Sequence, residues 1–111
     1  MITTHVLDTA RGGAAAGIAV SLEVRESLQW NVVGRATTDA NGRATTLMHG
    51  RPLVAGEYRL TFDTAAYQRQ HGVASPFFSH VVVTFCVTDA AGHYHVPLLL
   101  SPFGYSTYRG T

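Results

Sequence analysis

The chain has no lysine: all eight of its basic residues are arginine. That excludes a Schiff-base mechanism and a phosphate loop built on a Lys. It has one cysteine, Cys86, so no intrachain disulfide can form. Cys86 sits in the apolar run VVVTFCV, and that setting predicts an inert core thiol. Charge is scarce: Asp, Glu, Lys and Arg make up 14% of the residues, against roughly 25% in an average domain. The carboxylates are few and scattered, which gives a glycosidase-like acid pair no support. There is no Cys-x-x-Cys and no His-Glu-x-x-His. No run approaches the roughly 20 apolar residues of a membrane-spanning helix. The N-terminal MITTHVLDTA has neither the basic start nor the apolar centre of a signal peptide. These absences lead us to expect a cytoplasmic protein with no membrane partner. The net charge of +1 gives no reason to expect a nucleic acid partner either.

What is present fits one domain over residues 1–111. A chain of this size buries roughly two-thirds of its unfolded surface, enough for one core with little surplus. With 46% hydrophobic residues and so little charge, part of the surface is expected to lie against other subunits.

Short alternating segments dominate. Thr3 to Thr9 reads as a first strand, and the small residues Arg11 to Gly17 as a loop. In Ile18 to Arg25 the apolar residues Ile18, Val20, Leu22 and Val24 share one face, the pattern of a half-buried antiparallel strand. Trp30 to Thr37 is a further strand. Asp39-Ala40-Asn41-Gly42 is a turn, with Asn-Gly supplying positive φ angles, and Arg43 to Met48 follows as a short strand. Glu57 to Asp63 alternates again. Thr64 to Gln70 is the one expected helix, capped by Asp63 or Thr64 and ended by Gly72. Phe77 to Thr88 is another strand region, turned by Asp89 to Gly92 into the last strand. Short strands at turn-to-turn spacings near ten residues, with one helix, predict an all-β sandwich.

The final stretch, HYHVPLLLSPFGYSTYRGT, is the most distinctive. From Tyr94, Val96, Leu98 and Leu100 fall on one face, and His93, His95, Pro97 and Leu99 on the other. Two imidazoles on one strand face are unusual for a plain core. Pro97 lacks an amide hydrogen, so the strand is an edge, is bulged there, or points that position away from a ladder. Chain ends are usually frayed, but one holding Tyr105, Tyr108 and Arg109 looks tied down.

HVPLLLSPFGYSTYRG closely resembles the C-terminal signature of the 5-hydroxyisourate hydrolases, the transthyretin-related enzymes of urate breakdown. That family typically ends Tyr-Arg-Gly-Ser, where this chain has Thr111. Thr4-His5-Val6-Leu7-Asp8 resembles the family's N-terminal motif, and Thr38-Asp39-Ala40-Asn41-Gly42-Arg43 matches its TDxxGR motif. The resemblance covers essentially the whole chain. It implies a transthyretin-like sandwich of two four-stranded sheets with one short helix. It implies a homotetramer, a dimer of dimers, with the site in the groove between dimers. The implied reaction is hydrolysis of 5-hydroxyisourate to 2-oxo-4-hydroxy-4-carboxy-5-ureidoimidazoline, with no cofactor and no metal.

Taken singly, the candidate residues have plain readings. His5 is a surface imidazole near a chain end, Arg43 a solvated charge after a turn, and His93 and His95 half-exposed strand residues. The resemblance gives His5, Arg43 and His95 catalytic roles. It makes His5, Arg43, Tyr108 and Arg109 the substrate-binding set, with the tail folded back into the site. The chemistry suits them. A neutral imidazole can take a proton from water near neutral pH, and a guanidinium offers a permanent charge and a planar fork of donors. The residues do not say which His is the base. His5, His93 and His95 could in principle form a three-imidazole zinc site, but the family's reaction needs no metal. Ser101 and Ser106 read as structural or water-orienting, and His49, His71 and His80 as surface or packing residues. The alternative function is a non-catalytic transthyretin-like carrier of an aromatic small molecule. Such a carrier needs apolar walls where this sequence offers His, Arg and Tyr.

Overall fold

A computed structural model describes all residues, 1–111. Its strands are β1 (Ile2–Asp8), β2 (Gly13–Ala14), β3 (Ala19–Glu26), β4 (Gln29–Thr37), β5 (Arg43–Ala44), β6 (Gly56–Phe62), β7 (Val81–Val87), β8 (Tyr94–Ser101) and β9 (Gly104–Thr107). The helix α1 spans Thr64–Gln70, between β6 and β7. One sheet runs β2-β1-β8-β9, with β5 added on β1; the other runs β4-β3-β6-β7. This is the expected two-sheet sandwich with a short helix. The first sheet has one strand more than the expected four: β2 lies in the Arg11–Gly17 segment expected to be a loop and pairs with β1, while of the expected Arg43–Met48 strand only Arg43 and Ala44 extend. No helix is long and apolar enough to cross a membrane.

The alternation read from the sequence makes the core. Val20 and Leu22 of β3, Tyr58, Leu60 and Phe62 of β6, and Val81 and Val87 of β7 turn inward. They meet Ile2 and Val6 of β1 and Tyr94, Val96, Leu98 and Leu100 of β8. Polar groups inside find partners. Thr4 Oγ1 donates to the Val96 carbonyl at 2.6 Å. The Tyr67 hydroxyl donates to Asp8 at 2.8 Å and accepts from Arg11 at 3.0 Å, which ties α1 to the end of β1. Burial, then the Asp8 carboxylate, pushes the Tyr67 phenol above its ordinary pKa. Asp63 caps the helix through the Ala66 amide, and Gly72, at φ +89°, lies just past its end.

The two ends of the chain meet side by side. β1 and β8 pair in parallel over their whole length, from Ile2–Tyr94 to Asp8–Leu100. Residues opposite one another in register project to the same face. Thr3 is opposite His95, and His5 opposite Pro97. So while Tyr94 and Val96 point into the core, His95 and Pro97 join Thr3 and His5 on the outward face.

Pro97 is on an interior strand, not an edge. It falls between the last β8–β9 pair, Leu98–Thr107, and an isolated bridge joining His95 to Gly110. No amide is required there, and Thr107 Oγ1 donates to the Pro97 carbonyl at 2.7 Å instead. Cys86 is a correction: it is exposed, not in the core. β7 is an edge strand with a single core-facing side, so Val82, Thr84 and Cys86 alternate outward although the run is almost wholly apolar.

The Thr38–Arg43 turn shows why each of its fixed residues is there. Thr38 is buried; its hydroxyl donates to the Ala15 carbonyl at 2.7 Å and accepts from the Ile18 amide at 2.9 Å. Asp39 Oδ1 accepts from the amides of Asn41 and Arg43, both at 2.9 Å. The Arg43 amide is the main cause holding the Asp39 carboxyl below its ordinary pKa. Gly42 has φ +74°, its carbonyl accepts from the Val6 amide at 2.7 Å, and a Cβ there would collide with the Val6 carbonyl oxygen. The turn thereby presses Arg43 into register opposite His5. Gly42→Ala is expected to cost about 2 kcal/mol or more, from left-handed strain plus the clash. A denaturation midpoint equal to wild type would show that the turn is not so constrained.

Candidate active site

Three elements bring the candidate residues together. β1 carries His5, β5 places Arg43 opposite it, and β8 places His95 opposite Thr3. They share the outward face of the first sheet. His95 is half-buried. Its Nδ1 is 2.8 Å from Thr3 Oγ1, and its Nε2 makes no hydrogen bond within the chain. Burial first, and then the nearby Arg43, His5 and His93, hold the His95 pKa below 6.5. The ring is therefore neutral at physiological pH, with a nitrogen free toward solvent. The Arg43 guanidinium is exposed and makes no ion pair; the two ion pairs of the chain are Arg25–Glu57 and Arg59–Glu23. An uncommitted guanidinium beside a neutral imidazole can hold a developing oxyanion while the imidazole takes a proton.

The tail reaches the same neighbourhood through Gly110. Its amide donates to the His95 carbonyl at 2.8 Å. A Cβ on Gly110 would lie 2.7 Å from His95 Cδ2, so the glycine backbone rests directly on the imidazole.

Tyr108 and Arg109 are not brought to this face of their own chain. The Arg109 guanidinium stacks 4.3 Å over the Tyr94 ring, and Tyr94 belongs to the core side of β8. Tyr108 and Arg109 line a cleft of about 270 Å³ with Val83, Phe85, Tyr94 and Thr107, at the edge of the sandwich. The remaining histidines have structural places. His49 Nε2 is 3.0 Å from the Arg35 carbonyl, and His71 packs on Tyr67 with ring centroids 4.3 Å apart. His80 borders a shallow cleft on the second sheet. No three His, Cys, Asp or Glu side chains are grouped so as to hold a metal ion.

Sequence reasoning did not single out Thr3 or Gly110, and it left His93 without a role. The signal for Thr3 was available: it precedes His5 by two residues on a strand, hence shares its face. Nothing local marks Gly110, because its contact with His95 is made across the sheet.

Residues 2–110 match the model of the HIUase/Transthyretin family. The chain belongs to that family. It is 43% identical over 113 residues to a 5-hydroxyisourate hydrolase of Caulobacter vibrioides, a match covering 99% of this chain and 97% of the relative. Among solved structures it resembles 5-hydroxyisourate hydrolase of Klebsiella pneumoniae, with TM-score 0.86, 35% identity, and coverage of 99% of this chain and 98% of the other. It also resembles sea bream transthyretin in complex with thyroxine, with TM-score 0.91, 32% identity, and coverage of 99% and 94%. The backbone thus fits the thyroxine-bound transthyretin and the hydrolase alike. Side chains have to separate the two.

Proposed function

We propose that the outward face formed by β1, β5 and β8 is a hydrolytic site, and that His95 is its general base. The chain hydrolyses 5-hydroxyisourate to 2-oxo-4-hydroxy-4-carboxy-5-ureidoimidazoline. One observation carries the assignment of the face: a neutral, oriented imidazole with a free Nε2 stands beside an unpaired guanidinium. Water attacks a ring amide carbonyl; as the C–O bond forms, its proton passes to His95 Nε2. Arg43 holds the negative charge that develops on the carbonyl oxygen. His5, opposite Arg43, positions substrate and water. Collapse of the intermediate breaks the C–N bond, and the leaving nitrogen takes the proton back from His95. The product is a carboxylic acid, which ionises to solvent. Every proton is returned, so no cofactor enters the scheme.

The carrier reading has the close transthyretin backbone in its favour. Against it stands the polarity of this face, which offers Thr3, His5, Arg43, His93 and His95 where an aromatic ligand wants hydrocarbon. A coupled assay decides between them. Urate oxidase generates the substrate, and its ultraviolet absorbance is followed with and without the protein. Decay faster than the spontaneous blank is expected; decay at the blank rate with folded protein would leave the carrier.

The acid side of the pH profile gives a second check. Because the His95 pKa is lowered, its lone pair persists to lower pH than that of a free imidazole. The acid limb of kcat/KM therefore falls below about 6.5, and it moves upward in Arg43→Ala, which loses a positive neighbour. A limb at or above 6.5 in wild type would count against His95 as the base.

No cavity of the single chain encloses His5, Arg43 or His95. A homotetramer, a dimer of dimers, would cover the open face, and Tyr108 and Arg109 would then act across a subunit boundary. The exposed aromatics Phe77, Phe103 and Tyr105 support such contacts. A cytoplasmic location suits the single exposed thiol, which a reducing compartment keeps free.

A further inference from the structure

We propose that Thr3 and His93 fix the tautomer of His95, acting as positioning residues for the hydrolytic step. The proposal rests on His95 being the base. Thr3 Oγ1 lies 2.8 Å from His95 Nδ1 and 3.0 Å from His93 Nε2. It makes no other hydrogen bond, and Thr3 is 5% exposed, so these two nitrogens are its partners.

A hydroxyl has one hydrogen to give. A row of three such groups must therefore run in one direction or the other. In the first, His95 Nδ1–H donates to Thr3 Oγ1, and the Thr3 hydroxyl donates to His93 Nε2. His95 Nε2 then carries a lone pair facing solvent. In the second, His93 Nε2–H donates to Thr3, whose hydrogen turns to His95 Nδ1. His95 then holds its proton on Nε2 and cannot accept another from water. Only the first direction makes a base. It requires His93 to be neutral, with its own proton on Nδ1.

The geometry keeps the three groups in line. Thr3 and His95 are register partners across the parallel β1–β8 ladder. His93 lies just before β8, two residues ahead of His95, with ring centroids 6.4 Å apart. Gly110 rests on the far edge of the His95 ring and limits its rotation. The charged and titratable groups that act on His95 from other elements are His5 from β1 and Arg43 from β5, and Asp39 in turn faces those two. None of them hydrogen-bonds to Thr3, His93 or His95 through its side chain. During turnover the proton from water goes to His95 Nε2, the Nδ1–H···Thr3 bond stays, and the new positive charge is met by the Thr3 oxygen. When the proton leaves with the ring nitrogen, the row is as before.

Two readouts test this. The first is the nitrogen-15 spectrum of His95 in the wild-type protein above its titration. A protonated Nδ1 and an unprotonated Nε2 are expected; a protonated Nε2 would overturn the proposal without any variant being made. The second is kinetic. Thr3→Val keeps the shape and removes the hydroxyl. It is expected to lower kcat about tenfold or more, a part of the general-base contribution, with KM within about threefold because Thr3 is buried and its hydroxyl is engaged by the two imidazoles. Thr3→Ser should recover most of the loss, and His93→Phe should shift the His95 proton toward Nε2. Wild-type kcat in Thr3→Val, or no recovery in Thr3→Ser, would overturn it. If the wild-type protein did not hydrolyse the substrate, the functional reading would fail, while the spectrum would still report the direction of the row.

Discussion

His95→Ala lowers kcat/KM for 5-hydroxyisourate by at least about 100-fold, the scale of a lost general base. In the proposed mechanism the imidazole takes the proton from water and gives it to the leaving nitrogen, so its removal affects both halves of the step. The fold should survive. His95 points outward, while its neighbours Tyr94 and Val96 supply the core contacts of that part of β8. Arg43→Ala should cost a comparable factor, of order 100-fold, because one charged donor to the oxyanion is lost. Its backbone contacts, the amide to Asp39 and the ladder to His5, do not depend on the side chain. The check is the coupled assay together with thermal unfolding. A variant that turns over at near-native rate would remove its residue from the mechanism.

Removing Tyr108–Thr111 abolishes measurable catalysis and leaves the core folded. The β8–β9 ladder ends at Leu98–Thr107, so the deletion spares it. What is lost is the Gly110 amide on the His95 carbonyl, the backbone resting on the imidazole and the Arg109 stack on Tyr94. The imidazole would then be free to turn, and the edge of the site open to water. Gly110→Ala isolates the first part of this. Its added methyl would meet His95 Cδ2 at 2.7 Å, so the ring has to move and kcat should fall with little change in stability. Unchanged turnover in the truncated protein would mean that the tail takes no part in the site.

The core was legible in the sequence because burial on one face of a strand imposes a period of two. Val20 and Leu22, Leu60 and Phe62, and Leu98 and Leu100 all announce their side. Boundaries and pairings were harder. Arg43 to Met48 looks extended, yet only two of its residues find a partner on β1. Gly104–Thr107 has no apolar alternation to mark it as a strand, yet it closes a hairpin with β8, with Ser101 Oγ donating to the Gly104 carbonyl at 2.8 Å. Cys86 misled because an apolar run on an edge strand looks like a run buried on both faces.

The candidate site was legible in its parts but not in its arrangement. His5, Arg43 and His95 come from three separate segments, and only the parallel pairing of the two chain ends and the Gly42 turn bring them together. No local pattern encodes a parallel register between residues some ninety positions apart. The same holds for Thr3, whose hydroxyl becomes important only because His95 lies across from it. Tyr108 and Arg109 were expected in the site on resemblance; within one chain they occupy the sandwich edge, away from His5, Arg43 and His95.

On the proposed mechanism the imidazole and the guanidinium serve one transition state. The most direct test is kcat/KM for wild type, Arg43→Ala, His95→Ala and the double variant. Groups acting as a unit are not additive. The double variant should therefore lose far less than the product of the two single losses. Losses that multiply in full would contradict a shared site.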